Sequence, residues 1–200
     1  MTETVTRPVR VAPVTTLTAG RRGERLSTQA TLREVMGQFA TGVTVLTTGG
    51  ERAHGMTANS FTSVSLDPPM VLCCVSLAAR MYESIASSRT FAVSILAADQ
   101  RPVARHFADW RRPRGLAQFD GVDWQPGPRT GAPLLTGALA WVECRVAEVY
   151  PGGDHAIFLG EVLGSSRSAG PDALTFFGGD YHPVGARPRD RIVDRGEAIA

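Results

Sequence analysis

Lysine is absent: all 21 basic residues of this 200-residue chain are arginine. That excludes a Schiff-base lysine and the lysine of a phosphate-binding P-loop. Cysteine is scarce, with Cys73 and Cys74 adjacent and Cys144 far along the chain. Adjacent cysteines rarely pair, an odd count leaves one over, and no C-x-x-C spacing occurs, so the chain offers neither a disulfide scaffold nor a thiolate zinc site. Three thiols buried in strands, in a reducing cytoplasm, are expected instead. No apolar run is long. Met70 to Ala79, broken by Ser76, reaches half of the roughly 20 residues a membrane-spanning helix needs, and Arg21-Arg22 is followed by Gly23-Glu24-Arg25 rather than the apolar stretch of a signal peptide.

Motifs are missing as well. There is no G-x-G-x-x-G, G-x-x-x-x-G-K, H-E-x-x-H or G-x-S-x-G, and His54, His106, His155 and His182 lack metal-ligand spacing. Hydrolysis by a triad, by zinc or by paired carboxylates finds no local support, although distant residues can still converge. The formal charge of +2 is too balanced for a nucleic-acid binder.

What is present is a chain that is 43% hydrophobic and 20% charged, enough for a buried core. Residues 1–28 hold five arginines against two glutamates without strand or helix periodicity and read as a flexible basic tail. Residues 186–200 read as a second tail, leaving 29–185 as one domain. Within it, Thr31-Leu32-Arg33-Glu34 fits a capping box, with Leu32, Val35, Met36 and Phe39 at helical spacing before Gly42. Strands are expected over 43–48, 55–61, 70–75 and 91–96, with a long hairpin of 138–150 and 155–164 around Pro151-Gly152-Gly153-Asp154. Short helices are expected near 81–87 and 99–108, and the Gly-, Pro- and Arg-rich stretch 110–133 reads as a surface excursion. Five or six strands, few helices and no βαβ alternation point to a mainly β fold, a small barrel.

The segment with most chemical content is Gly55-Met56-Thr57-Ala58-Asn59-Ser60-Phe61-Thr62-Ser63-Val64-Ser65. Small side chains leave room for backbone to approach a planar ligand, and hydroxyls, an amide and N–H groups can converge on its heteroatoms. An edge strand merely rich in Ser and Thr has the same composition. Trp110, Arg111, Arg112 and Arg114 form a basic aromatic cluster too small for a nucleic-acid face. It fits a solvated loop, or a loop at a cofactor entrance that helps with dinucleotide phosphates.

Three ordered pieces carry a resemblance: Phe39-Ala40-Thr41-Gly42-Val43-Thr44-Val45-Leu46-Thr47, then Gly55-Met56-Thr57-Ala58-Asn59-Ser60-Phe61, then Ser63-Val64-Ser65-Leu66-Asp67-Pro68-Pro69. It continues through Phe91-Ala92-Val93-Ser94-Ile95-Leu96, Gly153-Asp154-His155-Ala156-Ile157-Phe158-Leu159-Gly160-Glu161-Val162 and Leu174-Thr175-Phe176-Phe177-Gly178-Gly179-Asp180-Tyr181. Over residues 30–183 the chain resembles the flavin reductase family, the small reductase partners of two-component flavin-dependent monooxygenases. The resemblance implies an FMN-binding split β-barrel of Greek-key type and a homodimer with flavin near the subunit interface. It also implies reduction of FMN or FAD by NADH or NADPH, with the reduced flavin leaving for a partner monooxygenase. Such hydride transfer needs no protein nucleophile or metal, in agreement with the missing motifs.

The same resemblance places flavin contacts on Thr57, Ala58, Asn59 and Ser60, assigns Ser76 to the cofactor, and puts the flavin phosphate at Arg80. His155 is implied at the nicotinamide side, and Tyr181 as an aromatic lid or a core residue. Leu77-Ala78-Ala79 departs from the more polar stretch of many relatives, which leaves FMN against FAD open. A split barrel that holds flavin tightly and acts as an oxidase, as pyridoxamine-phosphate oxidases do, and a non-catalytic flavin- or haem-binding protein are the alternatives.

Overall fold

The structure, a computed structural model, describes residues 31–168 and 172–185. Both expected tails, 1–28 and 186–200, lie outside the described residues. In chain order the elements are α1 (Leu32–Met36), β1 (Thr41–Gly42), β2 (Thr44–Thr48), β3 (His54–Ala58), β4 (Phe61–Leu66), β5 (Pro69–Ser76), α2 (Arg80–Ser88), β6 (Thr90–Ile95), α3 (Arg101–Ala108), β7 (Trp124–Pro126), β8 (Pro133–Leu135), β9 (Ala140–Gly152), β10 (His155–Arg167), β11 (Asp172–Phe177) and β12 (Asp180–Gly185). The protein is mainly β, as expected. The strands number twelve among the described residues, not five or six, because pieces of two or three residues such as β1, β7 and β8 are too short to show a period.

Seven strands form one antiparallel sheet in the order β3-β2-β6-β9-β10-β5-β4. Ala58, from the first strand of that order, shares a core cluster with Val71 and Cys73 of β5 near its other end, so the sheet curls around its core. The Cys74 N–H donates to the Ser60 carbonyl oxygen at 3.1 Å, tying the exit from β3 to β5. β1, β11 and β12 make a second sheet, and β7 with β8 a third.

β2 shows why alternation is hard to see in this chain. All five of its residues are buried, which requires cover on both faces. Leu46 joins the barrel core with Phe91, Phe158 and Ile85, while Val45 points the other way into a cluster with Ala104, Phe107 and Phe119. Each fully buried phenylalanine contributes about 2–3 kcal/mol of transfer free energy. α2 places Met81 and Ile85 in the barrel core, and α3 lays Ala104 and Phe107 over the outer face of β2 and β3.

Three local expectations are corrected. The first helix ends at Met36, so Phe39 lies outside it and Gly42 belongs to β1; no residue of α1 is buried. The run from Gly55 is broken at Asn59-Ser60 into β3 and β4. The stretch 110–133 is not merely superficial: Gln118 and Phe119 are buried, and Gln118 bonds to Gly55 N–H at 2.8 Å and to the Ala53 carbonyl at 3.0 Å. The glutamine satisfies a sheet edge that no further strand covers. Composition marks loops, but not which loop residue must do this.

Candidate functional site

β3 pairs only with β2 and is therefore an edge strand. The outward backbone groups of Gly55 are taken by side chains: its N–H by Gln118 and its carbonyl oxygen by the Arg112 guanidinium. The β2–β3 register is unbroken, so two residues on the N–H and C=O of Thr57 point out of the same open edge. That is a backbone donor and acceptor one strand-step from a polar side-chain cluster. The Thr57 hydroxyl is engaged elsewhere, donating to the Ala104 carbonyl of α3 at 2.7 Å.

The next residues differ in role. The Ala58 carbonyl accepts from the Thr44 hydroxyl at 2.8 Å, and the Ser60 hydroxyl donates to the Cys74 carbonyl at 2.7 Å. Both contacts hold strands together. Asn59 is exposed, at the break between β3 and β4. Of the four side chains in this run, Asn59 is the polar one left to face a ligand.

Thr57, Ala58 and Asn59 line a recess of about 150 Å³ with Tyr181 and Phe176, whose rings meet edge to face at 5.5 Å. Asp180 anchors this aromatic wall. Its carboxylate accepts from the Tyr181 N–H at 2.8 Å and from Arg101 at 2.7 Å, with Arg105 at 3.6 Å. The Tyr181 N–H and Arg101 hold the Asp180 carboxyl below the usual carboxylate range, and burial raises the Tyr181 phenol. Asn59 and Ser60 also line a neighbouring recess of about 430 Å³ with Phe39 and Cys74.

A larger cavity of about 450 Å³ adjoins the first recess and shares Thr57 and Ala108 with it. His54, Arg80, Trp110 and Arg112 supply its polar and aromatic lining. Arg112 is fixed by the Asp109 carbonyl at 2.7 Å, Gln118 Oε1 at 3.3 Å, His54 Nε2 at 3.2 Å and the Gly55 carbonyl, and it lies over the Phe107 ring. Burial, then Arg112, then Arg80 lower the His54 imidazole to about 4, so it is neutral at pH 7 and accepts from Arg112. The Asp109 carboxylate is taken by Arg111 at 2.9 Å, and among the described residues neither Arg80 nor Arg112 has a carboxylate partner.

The structure thus gathers Thr57, Ala58, Asn59 and Tyr181 at one recess and joins Thr57 to Arg80 in the next. Ser76 and His155 stand opposite each other on β5 and β10 and line none of these three recesses. The Ser76 hydroxyl accepts from the Ala78 N–H at 3.3 Å, and the Leu77 N–H donates to the Asp154 carbonyl at 3.0 Å, which fixes the bend leading to Arg80. His155 Nδ1 lies 2.7 Å from the Asp154 carboxylate, which this contact holds below its ordinary range. Sequence reasoning left His54 unassigned and treated Arg112 as one of a loop cluster. The only signal for His54 was its place just before the small-residue run, and nothing distinguished the inward Arg112 from the outward Arg111.

Comparison with known proteins bears on this geometry. A family described as "Flavin reductase like domain" matches residues 36–185. An NADH-dependent FAD reductase of Streptomyces globisporus is 54% identical over 150 residues, covering 75% of this chain and 82% of the relative. The reductase subunit of a flavin-dependent monooxygenase from Mycobacterium tuberculosis is 38% identical over 154 residues, covering 76% and 80%. An NADH:FAD oxidoreductase of Streptomyces globisporus, solved in complex with NAD and FAD fragments, superposes with a TM-score of 0.72 at 49% identity, covering 80% of this chain and 93% of that one.

Proposed function

The chain belongs to the flavin reductase-like family, and on that premise we propose that it oxidises NADH or NADPH and reduces FMN or FAD for release to a partner flavin-dependent monooxygenase. The bound cofactors supply the hydride chemistry; the protein's part is to hold two rings together and keep water out. The observation that carries this is the open edge of β3, where the outward N–H and C=O of Thr57 lie between the recess of Asn59 and Tyr181 and a cavity lined by two arginines. A flavin's pyrimidine edge needs an adjacent donor and acceptor, which the edge supplies. Its phosphate needs a cation, which Arg80 at the start of α2 supplies. Neighbouring Ala58 and Ala108 leave room for the ring, and Tyr181 with Phe176 gives it an aromatic wall.

Asn59 is the side chain assigned to the ring's polar edge, with Ala58 and Ser60 as backbone around it. Ser76 acts by fixing the bend that presents Arg80. His155, with an imidazole oriented by Asp154, is assigned to the nicotinamide side of the site. It lines none of the three recesses around Thr57 and Asn59, so its role rests on the family resemblance. Residues 29–185 form the catalytic domain in this account, with 1–28 and 186–200 as flanking tails.

A homodimer accounts for the exposed apolar side chains of Leu32, Val35, Met36 and Phe39, which the other described residues leave uncovered. Phe39 stands on the recess next to Asn59, so a second copy seated there would lie beside the flavin. A cytoplasmic location fits three free thiols, and no helix among the described residues is long and apolar enough to cross a membrane. The direct test mixes purified protein with each of the four flavin and nicotinamide pairs and follows nicotinamide absorbance. Oxidation without added oxygenase is expected, and its absence in all four overturns the assignment. Light scattering tests the dimer.

A further inference from the structure

Where β9 and β10 run together at the end far from their turn, a cavity of about 330 Å³ shares no lining residue with the three recesses around Thr57 and Asn59. Trp141 and Glu143 alternate onto one face of β9, opposite Ser166 and Gly164 of β10. The Trp141 ring packs with Ala92, Ala132 and Leu134, and its N–H donates to the Leu135 carbonyl at 2.8 Å. Glu143 lines the same cavity and is 4% exposed. It accepts from the Arg129 N–H at 3.1 Å, the Thr130 N–H at 2.9 Å and the Thr130 hydroxyl at 2.7 Å, and all three bonds end on Oε1. The loop can close over that oxygen because Gly127 lies against it, where a Cβ would collide. Among the described residues nothing donates to Oε2. Anchoring a loop needs one acceptor, which an amide supplies; a buried carboxylate brings a charge as well, and that charge is left over. Arg129 has the opposite surplus. Its stem crosses Gly164, where a Cβ would stand 3.6 Å from Cγ, and its guanidinium has no acceptor among the described residues. Two opposite charges thus line one cavity without pairing.

We propose that this cavity binds a small zwitterion of the α-amino acid class, with its ammonium on Glu143 Oε2, its carboxylate on Arg129 and its side chain against Trp141. A simple amine answers Glu143 but is repelled by Arg129, and a simple acid meets the reverse. A molecule carrying both charges on one carbon answers each with a charge-assisted hydrogen bond. The indole face adds attraction for the ammonium, and Ser166 and Gln125 offer further polar groups at the rim. The volume lies at the low end of the roughly 300–1,000 Å³ usual for small-ligand sites, which suits an amino acid. The site is independent of the reductase assignment, since the two share no residue.

Calorimetric titration of the full chain with L-alanine, L-glutamine and L-phenylalanine tests the site. At least one is expected to bind saturably at millimolar concentration or below; binding by none overturns the proposal. The amine and the acid that correspond to the tightest binder, each lacking one of its charges, should bind at least about tenfold more weakly, the value of one charge-assisted hydrogen bond. Either half binding as tightly as the whole also overturns it. Arg129→Gln, at an exposed position, should weaken the amino acid about tenfold, and so should Glu143→Gln, which keeps an acceptor for the loop. If Glu143→Gln melts early, Arg129→Gln decides alone, and unchanged affinity in it refutes the site. Saturating FMN or FAD should leave the amino acid's dissociation constant where it was. Displacement by flavin would put the ligand in the recesses beside Thr57 and overturn the proposal, without touching the reductase assignment.

Discussion

Phe107 of α3 rests on bare backbone at Gly55: a Cβ built there would stand 2.6 Å from the phenyl ring. The contact sets how closely α3 approaches the edge strand, and with it the positions of Ala108, Trp110 and Arg112. Overpacking a core contact costs about 1–3 kcal/mol. Gly55→Ala is therefore expected to lower stability by that amount in urea denaturation and to weaken flavin binding as α3 is pushed outward. Unchanged values for both would refute the close packing.

His54 links stability to pH. Its folded value is lowered to about 4 by burial and then by Arg112 and Arg80, whereas an unfolded histidine titrates near its ordinary 6.5. Between those values the unfolded chain binds a proton that the folded chain rejects. Stability is thus expected to fall as pH drops from about 6.5 to about 4, by about 3 kcal/mol in total, with no His54 contribution to the slope above that window. Denaturation at pH 7, 6 and 5 measures it, and His54→Gln should flatten the curve. A slope identical in the variant would show that other groups carry it.

Asn59 is exposed at the break between β3 and β4, where its side chain supports no strand contact. Replacing it with alanine should weaken flavin about fivefold, the value of one modest hydrogen bond, with the melting temperature unmoved. A normal flavin dissociation constant in Asn59→Ala counts against the site.

Asp180 joins the β11–β12 turn to α3 through Arg101 at 2.7 Å and holds the Tyr181 N–H. Exposed ion pairs add little to global stability. Asp180→Asn should therefore leave the melting curve almost in place while the KM for flavin rises severalfold, because the aromatic wall loosens. The reverse pattern, a large stability loss with normal KM, would make the pair purely structural.

Thiol chemistry should separate the three cysteines. Burial pushes Cys73 and Cys144 up to about 12, keeping both protonated, whereas Cys74 is partly exposed on a recess. One equivalent should react with a disulfide reagent in the native protein and three after denaturation. Rapid native labelling of all three would mean that the sheet opens readily.

A mainly β chain, the long β9–β10 hairpin turning at Gly153-Asp154, and the short α2 and α3 were all legible in residue order. Turn residues, β-branched runs and small side chains act locally, through backbone preference and space, and need no partner to be read. The family was legible for the same reason, since its ordered motifs are local. What only the tertiary structure decided is which members of a local pattern do the work. Arg111 and Arg112 are neighbours of the same type, yet one pairs with Asp109 in solvent and the other crosses to Gly55, His54 and Gln118. Thr57 and Ser60 look alike in sequence, but their hydroxyls are consumed by Ala104 and Cys74, and it is the backbone of Thr57 that faces the open edge. A hydrogen bond or an unanswered charge depends on what lies opposite in space, and in this protein those partners come from α3, β5 and the loop after α3, many residues away along the chain.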